Sequence, residues 1–298
     1  MRWLVVGAAG MLGQDLVEVL ADAGERDVRA VDLPELDITD PAAVDRAVRG
    51  HDVVVNTAAW TNVDAAETNE EAATAVNGHA VANLARSCLA SGARLVHVST
   101  DYVLPGDATS PYPEDAATGP INAYGRSKLV GERAVLETLP ETGYVVRTAW
   151  LYGEHGRNFI TTMLRLSTQR ETVDVVNDQQ GQPTWSYALA GHLVELARAA
   201  HDGRAPAGIY HGTASGVTTW YELARAVFAG AGLDPERIRP TDSRLFVRPA
   251  RRPSYSVLAH DRWTAAGLPP LADWQEMLAK ALPRLLPEPA TAPAERIE

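Results

Sequence analysis

The chain of 298 residues holds one cysteine, Cys88, so no disulfide can form within it. A lone thiol inside an expected helix is a small core hydrophobe, and the expected compartment is a reducing one, the cytoplasm. Long apolar runs are missing as well. Nothing approaches the roughly 18 continuous apolar residues a membrane span needs, and the opening Met1-Arg2-Trp3-Leu4-Val5-Val6 meets Gly7 and Gly10 at once, as a strand and turn would. Net charge is −11 with no run of Lys or Arg, which argues against nucleic acid and anionic membranes as partners. The eight His lack ligand spacing, so no metal is expected; His97, on an expected strand, reads as a core histidine. Lysine is the scarcest charged residue: of 27 basic residues only two are Lys, and one is Lys128.

What is present is a rhythm. Short apolar runs at residues 4–6, 28–31, 53–55, 95–98 and 144–147 read as buried strands. Helical patterns at residues 11–21, 41–48, 72–90 and 122–139 alternate with them, with Asp40 and Pro41 as cap and first-turn proline. Such alternation implies right-handed crossovers and a parallel sheet covered on both faces. After residue 150 the rhythm loosens. Helices are expected at 159–166, 188–199 and 220–229, followed by a proline-rich stretch over 239–253. Trp220, opening the last of these helices, is expected to pack in the core. The small, polar, proline-bearing residues 287–298 are expected to be a disordered tail.

Gly7-Ala8-Ala9-Gly10-Met11-Leu12-Gly13 sits directly between the first strand and first helix. Glycines there permit a tight turn and let backbone N–H groups and a helix N-terminus approach a pyrophosphate. The spacing is GxxGxxG rather than GxGxxG, and its position makes it a nucleotide site. The fold class that follows is α/β, a Rossmann-type doubly wound parallel sheet with a smaller C-terminal α/β substrate domain. Asp32 ends the second strand. A carboxylate there either holds both ribose hydroxyls and repels a 2′-phosphate, or caps the turn before Pro34. NADH and NADPH both stay open.

Tyr124 and Lys128 lie four apart in Ile121-Asn122-Ala123-Tyr124-Gly125-Arg126-Ser127-Lys128 and share one helix face. A phenol ionises at about 10; a nearby ammonium favours the phenolate and brings that proton within reach of neutral pH. Arg keeps the charge but is a wide planar fork rather than a compact point charge.

Ser99-Thr100-Asp101-Tyr102-Val103 follows the fourth strand, and with Tyr124 and Lys128 it resembles the catalytic set of extended short-chain dehydrogenases/reductases. Further segments narrow the resemblance to the dTDP-4-dehydrorhamnose reductase family. They are Asn56-Thr57-Ala58-Ala59-Trp60-Thr61-Asn62-Val63-Asp64-Ala65-Ala66-Glu67, Arg147-Thr148-Ala149-Trp150-Leu151-Tyr152-Gly153, Asn177-Asp178-Gln179-Gln180-Gly181-Gln182-Pro183-Thr184 and Arg251-Arg252-Pro253-Ser254, in the family's order along nearly the whole chain. The resemblance implies that Thr100, Tyr124 and Lys128 reduce the ketone of a dTDP-linked keto-deoxysugar with NADPH or NADH. It assigns Gly10, Met11, Leu12, Asp37, Ile38, Ala58, Ala59, Trp60, Tyr124 and Lys128 to the cofactor, beside Gly7, Gly13 and Asp32 read above. Thr100, Asp101, Tyr102, Tyr124 and Trp150 fall to the sugar, and residues 178–184 with Arg252 to the nucleotide side.

On this reading residues 1–150 form the dinucleotide-binding domain, joined by segments near 177–200, and residues 151–286 are mainly substrate-binding. Leu104-Pro105-Gly106 stands where an aromatic is more usual. Some family members bind magnesium at a dimer contact; Tyr187, three after Thr184, is not a carboxylate, so that site is not expected here. Monomer and homodimer remain open. Nucleotide-sugar epimerases use the same catalytic set, and a non-catalytic regulatory subunit is a third reading, which an intact Thr100, Tyr124 and Lys128 disfavours.

Overall fold

The structure, a computed structural model, describes residues 1–286; the tail expected at 287–298 lies outside the described residues. Strand β1 (Trp3–Val6) leads through helix α1 (Met11–Asp22), β2 (Val28–Val31) and α2 (Pro41–Val48) to β3 (Val53–Asn56). Short helices α3 (Val63–Ala66) and α4 (Glu70–Thr74) precede a π-helical turn, Ala75–His79, which runs straight into α5 (Ala80–Ser91). Then come β4 (Arg94–Thr100), the 3₁₀ turn Asp101–Val103, α6 (Ala123–Thr138) and β5 (Gly143–Thr148). The remainder is β6 (Leu151–Tyr152), α7 (Phe159–Ser167), β7 (Val173–Val176), β8 (Gln180–Gly181), β9 (Thr184–Trp185), α8 (Ser186–His201), β10 (Gly208–His211), β11 (Thr218–Thr219), α9 (Trp220–Gly230), β12 (Ile238–Thr241), α10 (Asp261–Ala265) and α11 (Trp274–Leu285).

Six strands form one parallel sheet in the order β2-β1-β3-β4-β5-β10. Strands β1 and β3 are almost wholly apolar because both faces are covered. Trp3 and Val5 face one way, packing with Leu16 and Leu20 of α1 and Leu189 and Leu193 of α8. Leu4 and Val6 face the other, against Val44 and Val48 of α2 and Val81 and Leu84 of α5. The strand order reverses between β1 and β3, and the crevice beyond the carboxyl ends at such a point is where open α/β sheets take ligands.

Two features depart from the sequence reading. The helix expected as one piece over 72–90 carries the π turn, with Asn77 buried at its centre. That side chain accepts from Trp60 N (2.8 Å) and donates to Trp60 O (3.0 Å) and Ser127 Oγ (2.9 Å), tying the loop after β3 to α6. The second is β10, which lies within residues 151–286 yet completes the large sheet beside β5. Four residues that begin at Gly208 and are followed by Gly212 carry too short a strand signal; pairing with β5 supplies it. The proline-rich stretch likewise holds β12, where Pro240 is tolerated because β12 pairs only with β7. Cys88 is buried, and burial pushes its thiol up to about 12. Among the described residues no helix is long and apolar enough to cross a membrane.

Candidate active site

A cavity of about 870 Å³ opens at the switch point, between the loops that follow β1 and β3. Gly7, with φ of 83°, lies so close to the second loop that a Cβ would sit 2.4 Å from Ala58 N. A Cβ on Gly13 would sit 2.1 Å from Gly7 O. Both glycines are therefore required by contact, whereas a Cβ on Gly10 meets only Gly7 O, at 3.3 Å. No side chain caps the N-terminus of α1, which leaves its first N–H groups facing the cavity. An uncapped helix start behind a glycine turn suits a pyrophosphate, so the residues present fit a dinucleotide.

Ala58, Ala59, Met11, Leu12, Asp37 and Ile38 line this cavity, as does Asp32. Asp32 turns out to brace the loop, accepting from Ala9 N (2.8 Å) and Leu33 N (2.7 Å), so the capping alternative describes its bonds even though it borders the space. Asp37 accepts from Thr39 N and Oγ1, which holds its carboxyl below the usual range. Trp60 does not line the cavity; its ring packs with Ala66, Ala73, Ala123 and Tyr124.

Tyr124 and Lys128 enter the same cavity from α6. Asn122 starts that helix, accepting from Gly125 N at 2.8 Å, and the buried Arg147–Glu132 pair (2.8 Å) fixes it to β5. Gly125 allows contact with the turn after β4, since a Cβ there would lie 2.1 Å from Tyr102 O. Thr100 accepts from Tyr102 N and donates to Asp101 Oδ1 at 2.9 Å. Asp101 is buried, and burial pushes its carboxyl up to about 6 against the opposing hydrogen bonds of Ser256 and Thr100. The Tyr102 ring stands edge-on to Tyr124, centroids 6.0 Å apart.

Burial raises the Tyr124 phenol, the Asp101 charge raises it further, and the Thr100 hydroxyl acts the other way. Burial also lowers Lys128, to about 8, against the pull of Glu132. The phenol is thus not held low by Lys128, as the spacing alone suggested. Lys128 Nζ donates to Val98 O at 2.7 Å and lies 3.5 Å from His97 Nε2. His97 is bonded in turn to Asn56, and neither residue was singled out for chemistry from sequence.

Arg252, Trp150 and residues 178–184 lie outside the lining of the large cavity. Arg252 is held by Asp64 (3.1 Å) and stands over the Tyr102 ring. Asp64, in the first turn of α3, is thereby an anchor. The 251–255 stretch is drawn in by Gly106, whose carbonyl accepts from Tyr255 N (3.0 Å) and Ser254 Oγ (3.1 Å). Trp150 does not line the large cavity; it stacks on Trp220. In the 178–184 segment Asp178 holds Ser243, while Gln182 and Thr184 are buried joints to Leu258, Thr213 and Ala214. Tyr187 donates to Asp22. Asp15, Glu18 and His155 place ligand atoms within 4.8 Å of one another, but Asp15 already takes Ser186 and Glu18 takes Arg284.

Comparison with known proteins gives a consistent picture. The sequence profile described as "RmlD substrate binding domain" matches residues 1–286. A dTDP-4-dehydrorhamnose reductase of Streptomyces griseus is 54% identical, over 95% of this chain and 94% of its own. A dTDP-4-keto-6-deoxy-D-glucose reductase of Streptomyces niveus is 51% identical, over 95% and 97%. Among solved structures, a dTDP-4-dehydrorhamnose reductase of Bacillus anthracis in complex with NADP superposes with a TM-score of 0.89 at 35% identity, covering 94% of this chain and 98% of that one.

Proposed function

The chain belongs to the dTDP-4-dehydrorhamnose reductase family, and on that premise we propose that it reduces the 4-keto group of a dTDP-linked 6-deoxy-4-ketohexose, with dTDP-4-dehydro-L-rhamnose as substrate. The observation that carries the reading is the convergence of Tyr124 and Lys128 with the glycine loop on one cavity, with Thr100 at the adjoining end of β4. A bound NADPH or NADH supplies the hydride that the carbonyl carbon accepts.

The chain's own residues supply the rest. Tyr124 gives its proton to the developing alkoxide oxygen; burial keeps the phenol protonated but makes it a weaker acid, which the much more basic alkoxide can still deprotonate. Thr100 donates a hydrogen bond to the same oxygen in exchange for its bond to Asp101. Lys128 orients the nicotinamide ribose. The uncapped start of α1 faces the cofactor's pyrophosphate, Asp101 and Trp150 border the sugar, and Arg252 faces the substrate's diphosphate. Residues 1–150 serve chiefly the dinucleotide and residues 151–286 chiefly the sugar nucleotide, with the cytoplasm as compartment.

Mixing the protein with enzymatically prepared dTDP-4-dehydro-L-rhamnose, with NADH and NADPH in parallel, tests this. The expected result is rapid oxidation with dTDP-L-rhamnose as product. Tight cofactor binding with no oxidation of either nicotinamide overturns it. A second substrate is favoured by the Streptomyces niveus relative: dTDP-4-keto-6-deoxy-D-glucose belongs in the same assay.

A further inference from the structure

Asn56 and His97 face each other as paired residues of β3 and β4, both fully buried beneath Lys128. Which atoms donate is fixed by one backbone group. Ala58 N–H donates to Asn56 Oδ1 at 3.1 Å, so the amide cannot be turned without setting two donors together. Asn56 Nδ2 then faces His97 Nδ1 at 3.0 Å as a donor, and Nδ1 must accept. Burial holds the imidazole neutral, so its single proton sits on Nε2. That N–H points at Lys128 Nζ, 3.5 Å away. An ammonium there meets another donor, whereas a neutral amine accepts from Nε2–H and still donates to Val98 O.

We propose that Asn56 and His97 are positioning residues for Lys128: Asn56 locks His97 as the Nε2–H tautomer, and that N–H stabilises Lys128 as the neutral amine. The proposal rests on the reading of Lys128 as part of the reducing site, and concerns its proton whichever sugar is reduced. Burial of Lys128 already favours the neutral amine, and the relay acts in the same direction. Glu132, one turn along α6, favours charge but is paired with Arg147 of β5. Tyr124 is protonated, and the contacts from β3 and β4 are the uncharged Asn56, His97 and Val98 carbonyl. The relay begins at Ala58 and ends at Lys128, both of which line the cofactor cavity.

The chain's poverty in lysine makes the test direct. Full-length protein labelled with ¹³C at lysine Cε shows two signals, the buried Lys128 and the exposed Lys280, and the second is an internal standard. Nitrogen-15 histidine spectra report the His97 tautomer in the same sample. The expected result is an Nε2–H tautomer, with Lys128 titrating at least about one unit below Lys280. In Asn56→Asp, which is isosteric and still accepts from Ala58 N, His97 should move its proton to Nδ1 and the Lys128 titration should rise.

An Nδ1–H tautomer in the unaltered protein, or a Lys128 that titrates with Lys280, overturns the proposal. So does a variant in which Lys128 rises with no change of tautomer, because added charge alone then explains it. If Asn56→Asp does not fold, the two measurements on the unaltered protein still decide. None of them needs substrate turnover, so a failed keto-sugar assay and a failed relay are separate results.

Discussion

Trp150 lies flat on Trp220, ring centroids 3.6 Å apart and planes 10° from parallel. Trp150 is also the one non-glycine residue with positive φ, 48°, among the described residues, a conformation that costs about 1–3 kcal/mol. The stack contributes about 0.5–1.5 kcal/mol beyond burial. Gly181 leaves room for the indole, since a Cβ there would lie 2.5 Å from it. Trp220→Ala is expected to lose the near-ultraviolet circular dichroism of a stacked indole pair and about 3 kcal/mol of stability, the low end for a half-buried Trp. It should raise KM for the sugar nucleotide more than it lowers kcat. Trp220→Phe should be milder in every measurement, and an unchanged spectrum in the alanine variant counts against the stack.

Tyr124→Phe keeps the ring against Tyr102 and removes the proton. Turnover should fall roughly 10²–10⁴-fold, while cofactor affinity, read by nucleotide fluorescence, stays within a few-fold of the unaltered protein. Near-normal turnover would remove Tyr124 from the chemistry.

Asp101 gives stability a pH dependence of definite sign. Its folded-state pKa, about 6, is raised above the ordinary 3.8, so the stability it contributes is fully present below about 4 and is lost as pH rises through 6. The two-unit difference corresponds to about 3 kcal/mol. Asp101→Asn should flatten the stability change between pH 4 and 6 in denaturant titrations. An equally steep change in the variant would place its origin elsewhere.

Gly13→Ala forces a Cβ to within 2.1 Å of Gly7 O. Overpacking of this kind costs about 1–3 kcal/mol, and here it also opens the turn that faces the pyrophosphate. Dinucleotide affinity should fall at least tenfold by calorimetry. Gly10→Ala, whose nearest contact is 3.3 Å, should fold almost normally, and equal effects of the two substitutions would contradict the contact reading.

Asp64→Ala frees Arg252 from its carboxylate partner. The expected outcome is a several-fold higher KM for the dTDP-sugar with kcat and cofactor affinity little changed. A selective loss of cofactor affinity would instead assign Arg252 to the other nucleotide.

Where a residue's role follows from its spacing along the chain, the sequence is informative. The glycine turn, the alternating strands and the Tyr124–Lys128 face are all of that kind. Asp32 is ambiguous because a strand-end carboxylate suits either a ribose or a turn; in the fold it braces the turn through Ala9 and Leu33 and also borders the cavity, so both uses stand. Asn56 and His97 were not legible as a pair, since the register of β3 on β4 joins them. Trp220 met Trp150 only through tertiary packing, and β10 became a strand only because β5 offered an edge.

That edge has a consequence for how such a protein can be cut and recombined. Helix α8 and strand β10 lie beyond β6, α7 and β7 in the chain, yet α8 covers α1 and β10 closes the side of β5. A fragment ending at residue 150 would bare the backbone groups of β5 and the apolar flank of α1, a template for aggregation. Exchange of the region after residue 150 between relatives therefore cannot be made at one crossover without breaking the large sheet. A working chimera must graft two separate stretches, before and after residues 186–211, while that returning passage stays with its own sheet.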